Sequence, residues 1–196
     1  MDTGMRRRWI HRGLLALTLA AALTSLGSGG YILAKARVAQ WLLDAAWSRT
    51  LSGATRVRPW PWADTWPVAR LDLGQKGGRL VVLADASGRS LAFGPGHISA
   101  TPLPGAGGNS AIAGHRDTHF AALARLASGD PIRVELPGRT LDYRVTGTLV
   151  VDQHQTGVLQ DQGGDSLTLV TCYPFDALVP GGPLRYVVRA ERTTDG

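Results

Sequence analysis

Three short runs of the sequence carry side chains with complementary reactivity: Gly114-His115-Arg116-Asp117, Thr168-Leu169-Val170-Thr171-Cys172 and Leu184-Arg185-Tyr186-Val187-Val188-Arg189. Cys172 is the one cysteine of the chain. No intramolecular disulfide can form, which leaves this thiol either as a reactive group or as a small apolar filler. The thiolate is the attacking form, and a cationic neighbour makes it available. His115 could supply that cation and later give a proton to a departing amine. Attack on a carbonyl creates an oxyanion, and a guanidinium such as Arg185 stays charged while offering it several donors. Singly, each has a bland alternative: a His beside a small apolar strand is usually structural, and a strand Arg is usually a solvated charge.

Residues this far apart need a frame to meet. His115 and Cys172 are separated by 57 positions, and Arg185 follows Cys172 by 13. After Pro67 the sequence becomes short apolar runs divided by turn residues, the texture of a barrel or sandwich. The pattern predicts strands at Ala69–Leu73, Arg79–Asp85, Leu91–Phe93, Ser110–Ala113, Ile132–Leu136, Thr140–Val151, Ser166–Thr171 and Leu184–Ala190. Pro137-Gly138 should turn a hairpin. The body's one helix is predicted over Thr118–Ala127, with Phe120, Leu123, Ala124 and Ala127 as its buried stripe. His115, Cys172 and Arg185 each fall at the end or start of a strand, so neighbouring strands could bring them to a common rim.

Several nearby residues are candidates for support. Thr171 could add a hydroxyl to the site or simply pack as a β-branched strand residue. Asp117 could orient His115 or, preferably, cap the helix that follows. His97 and Asn109 lie in or beside loops rich in Gly and Pro and should shape the surroundings of the site. His119 stands four residues after His115, a metal-clasping spacing on a helix, but no acidic partner completes that pattern. No metal and no cofactor are expected.

Charge and hydropathy order the N-terminal third. The net charge is +6, and Arg6, Arg7, Arg8 and Arg12 against Asp2 supply half of it. The remaining basic residues are scattered singly, without the concentrated stripe of a nucleic-acid binder, and that class is excluded. Gly13 to Ala34 carries no charge, and as a helix it would span roughly 30 Å, enough to cross a hydrocarbon core. The preceding arginines orient the N-terminus toward the cytoplasm and export the rest; a cleaved signal peptide is the competing reading. Residues 31–50 read as a continuing helix with Ile32, Val38, Leu42, Ala45 and Ala46 on one face. Trp60, Trp62 and Trp66, set between prolines, should tether this stalk to the body. The expected organisation is a cytoplasmic basic tail (1–12), a transmembrane anchor (13–34), a helical stalk with a Trp/Pro linker (35–66) and a catalytic body (67–193).

Taken together, the three reactive runs resemble the sortase family. TLVTC at a strand end matches the TLxTC signature, and GHR before it and Arg-x-Val-Val-Arg after it stand in the right order. The resemblance covers about residues 60–191, and PWPWADTWPVARL, GPGHI, GNSAIAGHRDTHF and TCYPF look most like the Gram-negative subgroup, which tends to pair with a dedicated surface target. It implies a mainly β fold: a closed eight-stranded barrel with one or two short helices, outside the inner membrane on a single-pass anchor. It implies Cys172 as nucleophile, His115 as acid/base and Arg185 as oxyanion stabiliser. A surface protein with a C-terminal Leu-Pro-x-Thr-Gly-like (LPxTG-like) sorting signal would be cleaved between Thr and Gly, and its acyl group passed to an amine acceptor of the cell envelope. Leu184, rather than His, precedes Arg185, and no inserted lid segment is evident; both differences favour attachment of single targets over pilus assembly. The alternatives are an L,D-transpeptidase, which would need a Ser-x-Gly-Cys-type motif where Thr171 and Tyr173 flank the thiol, and a membrane-tethered barrel adaptor with Cys172 in its core.

Overall fold

A computed structural model describes residues 15, 17, 18, 31, 34–161, 163–179 and 181–193. Two compact units divide the chain, Met1–Trp41 and Leu42–Gly196. The expected basic tail and almost all of the expected membrane anchor lie outside the described residues, among which no helix is long and apolar enough to cross a membrane. Helix α1 covers residues 34–51. Within the second unit its buried stripe is Leu43, Ala46, Trp47 and Thr50, a 3.6-residue spacing shifted from the expected face. The shift follows Trp47, whose ring is fully buried, lies under the Arg70 guanidinium and donates from Nε1 to Glu135 at 3.4 Å.

Eight strands close into a barrel in the order β1-β2-β3-β4-β7-β8-β6-β5. They are β1 Pro67–Asp72, β2 Arg79–Leu83, β3 Gly96–His97, β4 Gly108–Ala113, β5 Pro131–Leu136, β6 Arg139–Asp152, β7 Asp165–Tyr173 and β8 Leu184–Arg192. The β2–β3 and β4–β7 pairs are parallel and the β5–β6 hairpin turns through Pro137 and Gly138 as expected, with Gly138 at φ 77°, a left-handed conformation that glycine adopts without a Cβ penalty. Alternation directs Leu167 and Leu169 of β7, Ile112 of β4 and Val188 of β8 into the core, so Val170 and Cys172 face outward.

Two expected elements differ. Leu91–Phe93 is not a strand; a short helix occupies Gly88–Leu91, and the strand there is Gly96–His97. The Ser87 side chain accepts from the Ser90 N–H, Asp85 accepts from the Ser90 hydroxyl at 2.8 Å, and Phe93 leaves the sheet to pack edge-on against Trp60, centroids 4.8 Å apart. Trp66 lies under the Arg56 guanidinium, while Trp62 is exposed, so two of the three tryptophans are packed. The helix expected at Thr118–Ala127 is a turn followed by a 3-10 helix over Ala121–Arg125. Three residues per turn align Phe120, Leu123 and Leu126; these are buried, whereas Ala124 and Ala127, members of the expected stripe, are exposed.

Candidate active site

The geometry of the site follows from two registers. In the parallel pair, Ala113 is the last β4 residue in register, opposite Val170, and Gly114 N–H still donates to Val170 O at 3.1 Å. Two residues further along both strands lie His115 and Cys172. In the antiparallel pair Cys172 is directly opposite Arg185. Adjacent strands run about 4.8 Å apart and opposed Cβ atoms share a face at roughly 4.5–5.5 Å. The rim therefore gathers the three groups in the order His115, Cys172, Arg185. Cys172 is partly exposed on the outward face, which is not the setting of a core filler.

Local sequence explains why His115 emerges there. A Cβ on Gly114 would stand 2.7 Å from the Phe120 ring, so only glycine lets the chain pass that buried side chain. Phe120 N–H returns to His115 O at 3.0 Å, which turns the backbone away from the sheet. Thr171, buried on the alternate face from Cys172, donates its hydroxyl to Gly114 O at 2.8 Å. It thereby ties the strand that carries the thiol to the backbone that carries the imidazole, a role beyond packing.

Arg185 is held by acceptors on three residues. Its Nη1 donates to Gly182 O at 2.7 Å and Leu184 O at 2.9 Å, and its Nη2 donates to Gln153 Oε1 at 2.8 Å. Three of the five guanidinium N–H groups are engaged, leaving two for a ligand. On the opposite face, Tyr173, Phe175 and Tyr186 pack together with centroids 5.1 to 6.2 Å apart, and Phe175 and Tyr186 rest against the core. Sequence reasoning did not single out Gln153; its signal was its place just beyond β6, whose Asp152 pairs with Leu184.

Asp117 does not cap a helix, since the 3-10 helix has no side-chain cap. It instead grips Arg116, accepting from Nε at 2.7 Å and from Nη2 at 3.1 Å. The bond to Arg116 holds the Asp117 carboxyl below the usual carboxylate range, aided by the Arg116 and His115 charges. Arg116 is the second residue that the sequence reading missed. Its side chain is 4% exposed, and it also donates to Pro174 O at 2.6 Å and Ala177 O at 3.0 Å, in the segment that follows Cys172.

The remaining candidates sit further off. His97 is buried beside β4, with Nε2 on Pro102 O at 3.0 Å, and it fixes the β3–β4 loop. Asn109 lies six residues before His115, about 20 Å along an extended strand. It accepts from the Thr168 hydroxyl at 2.8 Å and donates to Val158 O at 3.1 Å, so it anchors the β6–β7 connection. His119 has its proton affinity lowered by burial first and then by the His115 charge. Among the described residues, no group of three or more His, Cys, Asp or Glu side chains could hold a metal.

Residues 73–193 match the family model described as the Sortase domain. Over 125 residues the chain is 30% identical to sortase D of Bacillus subtilis, covering 63% of each protein, so it spans less than two thirds of that relative's length. The structure of sortase C-1 from Actinomyces oris superposes with a TM-score of 0.59 at 33% identity, over 66% of this chain and 76% of that one. A Clostridium perfringens sortase D5 transpeptidase gives a TM-score of 0.59 at 27% identity, over 66% and 80%.

Proposed function

The chain belongs to the sortase family, and from that premise we propose that it is a membrane-anchored cysteine transpeptidase that attaches a surface protein to an amine. Cys172 Sγ attacks the carbonyl of the Thr in an LPxTG-like sorting signal, and the charge that develops on the carbonyl oxygen is met by the free N–H groups of Arg185. When the Thr–Gly bond breaks, the leaving nitrogen takes a proton from His115 and a thioester remains on Cys172. An incoming amine then attacks the thioester, gives a proton to His115 and releases the sulfur with a new amide formed. With water in place of the amine, the product is a free acid.

The observation that carries this reading is the direct opposition of Cys172 and Arg185 in the β7–β8 register, with His115 two steps past the last β4–β7 pair. The uncharged stretch from Gly13 to Ala34 behind four arginines supports the single-pass anchor, with the catalytic body outside the inner membrane. The sequence runs similar to the Gram-negative subgroup, together with Leu184 before Arg185, support a dedicated single target rather than pilus assembly. The test is turnover of a quenched fluorescent LPxTG-like peptide with and without an added amine. Amine-dependent ligation that vanishes in Cys172→Ala supports the reading; a barrel adaptor would give no turnover in either protein.

A further inference from the structure

We propose that Arg116 is a positioning residue for the transfer reaction, clamping the segment after Cys172 to the loop that carries His115 so that thiol and imidazole keep one fixed separation. The proposal rests on the reading of Cys172 as nucleophile. The β4–β7 ladder ends with the Gly114 N–H bond to Val170 O; the β4 chain runs on as a loop, while β7 stays paired with β8 as far as Tyr173 before its own loop begins. Across that gap Arg116 Nη1 reaches Pro174 O at 2.6 Å and Nη2 reaches Ala177 O at 3.0 Å. The same guanidinium is oriented from the other side by Asp117, through Nε at 2.7 Å and Nη2 at 3.1 Å.

The chemistry of the side chain fits this task and little else at such a place. A buried guanidinium is costly unless its donors are matched, and here four donated bonds meet four acceptors while the side chain is 4% exposed. Its planar fork spans a bidentate carboxylate and two carbonyls at once, which the point charge of a lysine does not reproduce. Asp117 is 62% exposed, so water screens the carboxylate while the cation stays within the protein. The proton affinity of Arg116 is raised first by the bond to Asp117 and further by nearby negative charge, that of Asp117 foremost.

The test compares two rates at Cys172 in the full-length protein, at a temperature where circular dichroism shows each variant folded. One is single-turnover acylation by an LPxTG-like peptide, which needs His115 aligned with the thiol. The other is alkylation by iodoacetamide at alkaline pH, where the thiol ionises without help from His115. Arg116→Lys keeps the charge but loses the fork, and a displacement near 1 Å predicts acylation lower by about 100-fold, with alkylation unchanged and KM nearly so. Asp117→Asn leaves the carbonyl bonds in place and weakens only the bidentate anchor; acylation should fall by roughly tenfold, again with alkylation unchanged. An arginine that merely stabilised the fold would leave acylation unchanged in variants that circular dichroism shows folded. Acylation at the wild-type rate in folded Arg116→Lys overturns the proposal; should that variant not fold, wild-type acylation in Asp117→Asn overturns it alone. Cys172→Ala is run alongside: acylation that persists there removes the nucleophile reading itself, whereas a silent Cys172→Ala with normal Arg116 and Asp117 variants removes only the clamp.

Discussion

Gly114→Ala should damage catalysis far more than its single methyl group suggests. The added Cβ would stand 2.7 Å from two atoms of the Phe120 ring and 3.1 Å from a third, whereas carbon atoms settle at about 3.5–4.0 Å. Relief requires roughly 1 Å of movement, by the ring or by the backbone. Phe120 has no exposed surface and belongs to the core with Leu123 and Ile112, so it has little room to yield. The backbone strand exit is the softer side, and it carries His115. Overpacking of this kind costs about 1–3 kcal/mol, offset by about 0.4–1 kcal/mol from the stiffer unfolded chain. The net change corresponds to a fall in Tm of no more than about 10 °C for a chain of this size. A shift near 1 Å in the acid/base predicts acylation slower by up to about 100-fold. Differential scanning calorimetry and single-turnover acylation read the two effects separately. Phe120→Ala, which removes the Cγ, Cδ1 and Cδ2 atoms that the new Cβ would meet, should recover acylation in the double variant relative to Gly114→Ala alone. Wild-type acylation in Gly114→Ala would refute the claim that this close approach fixes His115.

Two further outcomes follow from the same geometry. Arg185→Lys keeps a cation but loses the fork that Gln153 and the Gly182 and Leu184 carbonyls hold in place; if the remaining N–H groups meet the oxyanion as proposed, kcat should fall by about 10²–10³, and near-normal turnover would argue against that role. His119 binds its proton less readily in the folded chain than at its ordinary value of 6.5, chiefly through burial, so the unfolded chain binds more protons just below that pH. Stability is therefore undiminished above about pH 6.5 and declines as pH falls from there toward the lower folded value, then changes no further from this group. His119→Gln should flatten that part of a Tm-against-pH curve, and an unchanged slope would contradict the assignment.

The frame of the site was legible in the sequence because its signals are local. Alternating apolar residues in Leu141, Tyr143 and Val145 and the Pro137-Gly138 turn specify their own hairpin, and TLVTC and GHR each mark a strand end. What was not legible depends on partners without sequence identity. Arg116 and Arg185 are oriented by backbone carbonyls at Pro174, Ala177, Gly182 and Leu184, and any residue type can supply a carbonyl. Asp117 has the composition of a helix cap, yet a charged fork one residue away offers it a better partner than an N–H. The apolar run at Leu91–Phe93 fits strand periodicity, but the Ser87 cap and the Trp60 ring settle it as a helix and a turn. The choice between α and 3-10 winding after Phe120 rests on where three apolar side chains meet the core, a tertiary fact that a short segment does not encode.

Intact-protein mass spectrometry of the chain incubated with an LPxTG-like peptide, followed by peptide mapping, tests the nucleophile most directly. The acyl mass should appear on the peptide containing Cys172, discharge on addition of an amine, and be absent from Cys172→Ala. Ligation that continues without that adduct, or an acyl group carried by another residue, would contradict it.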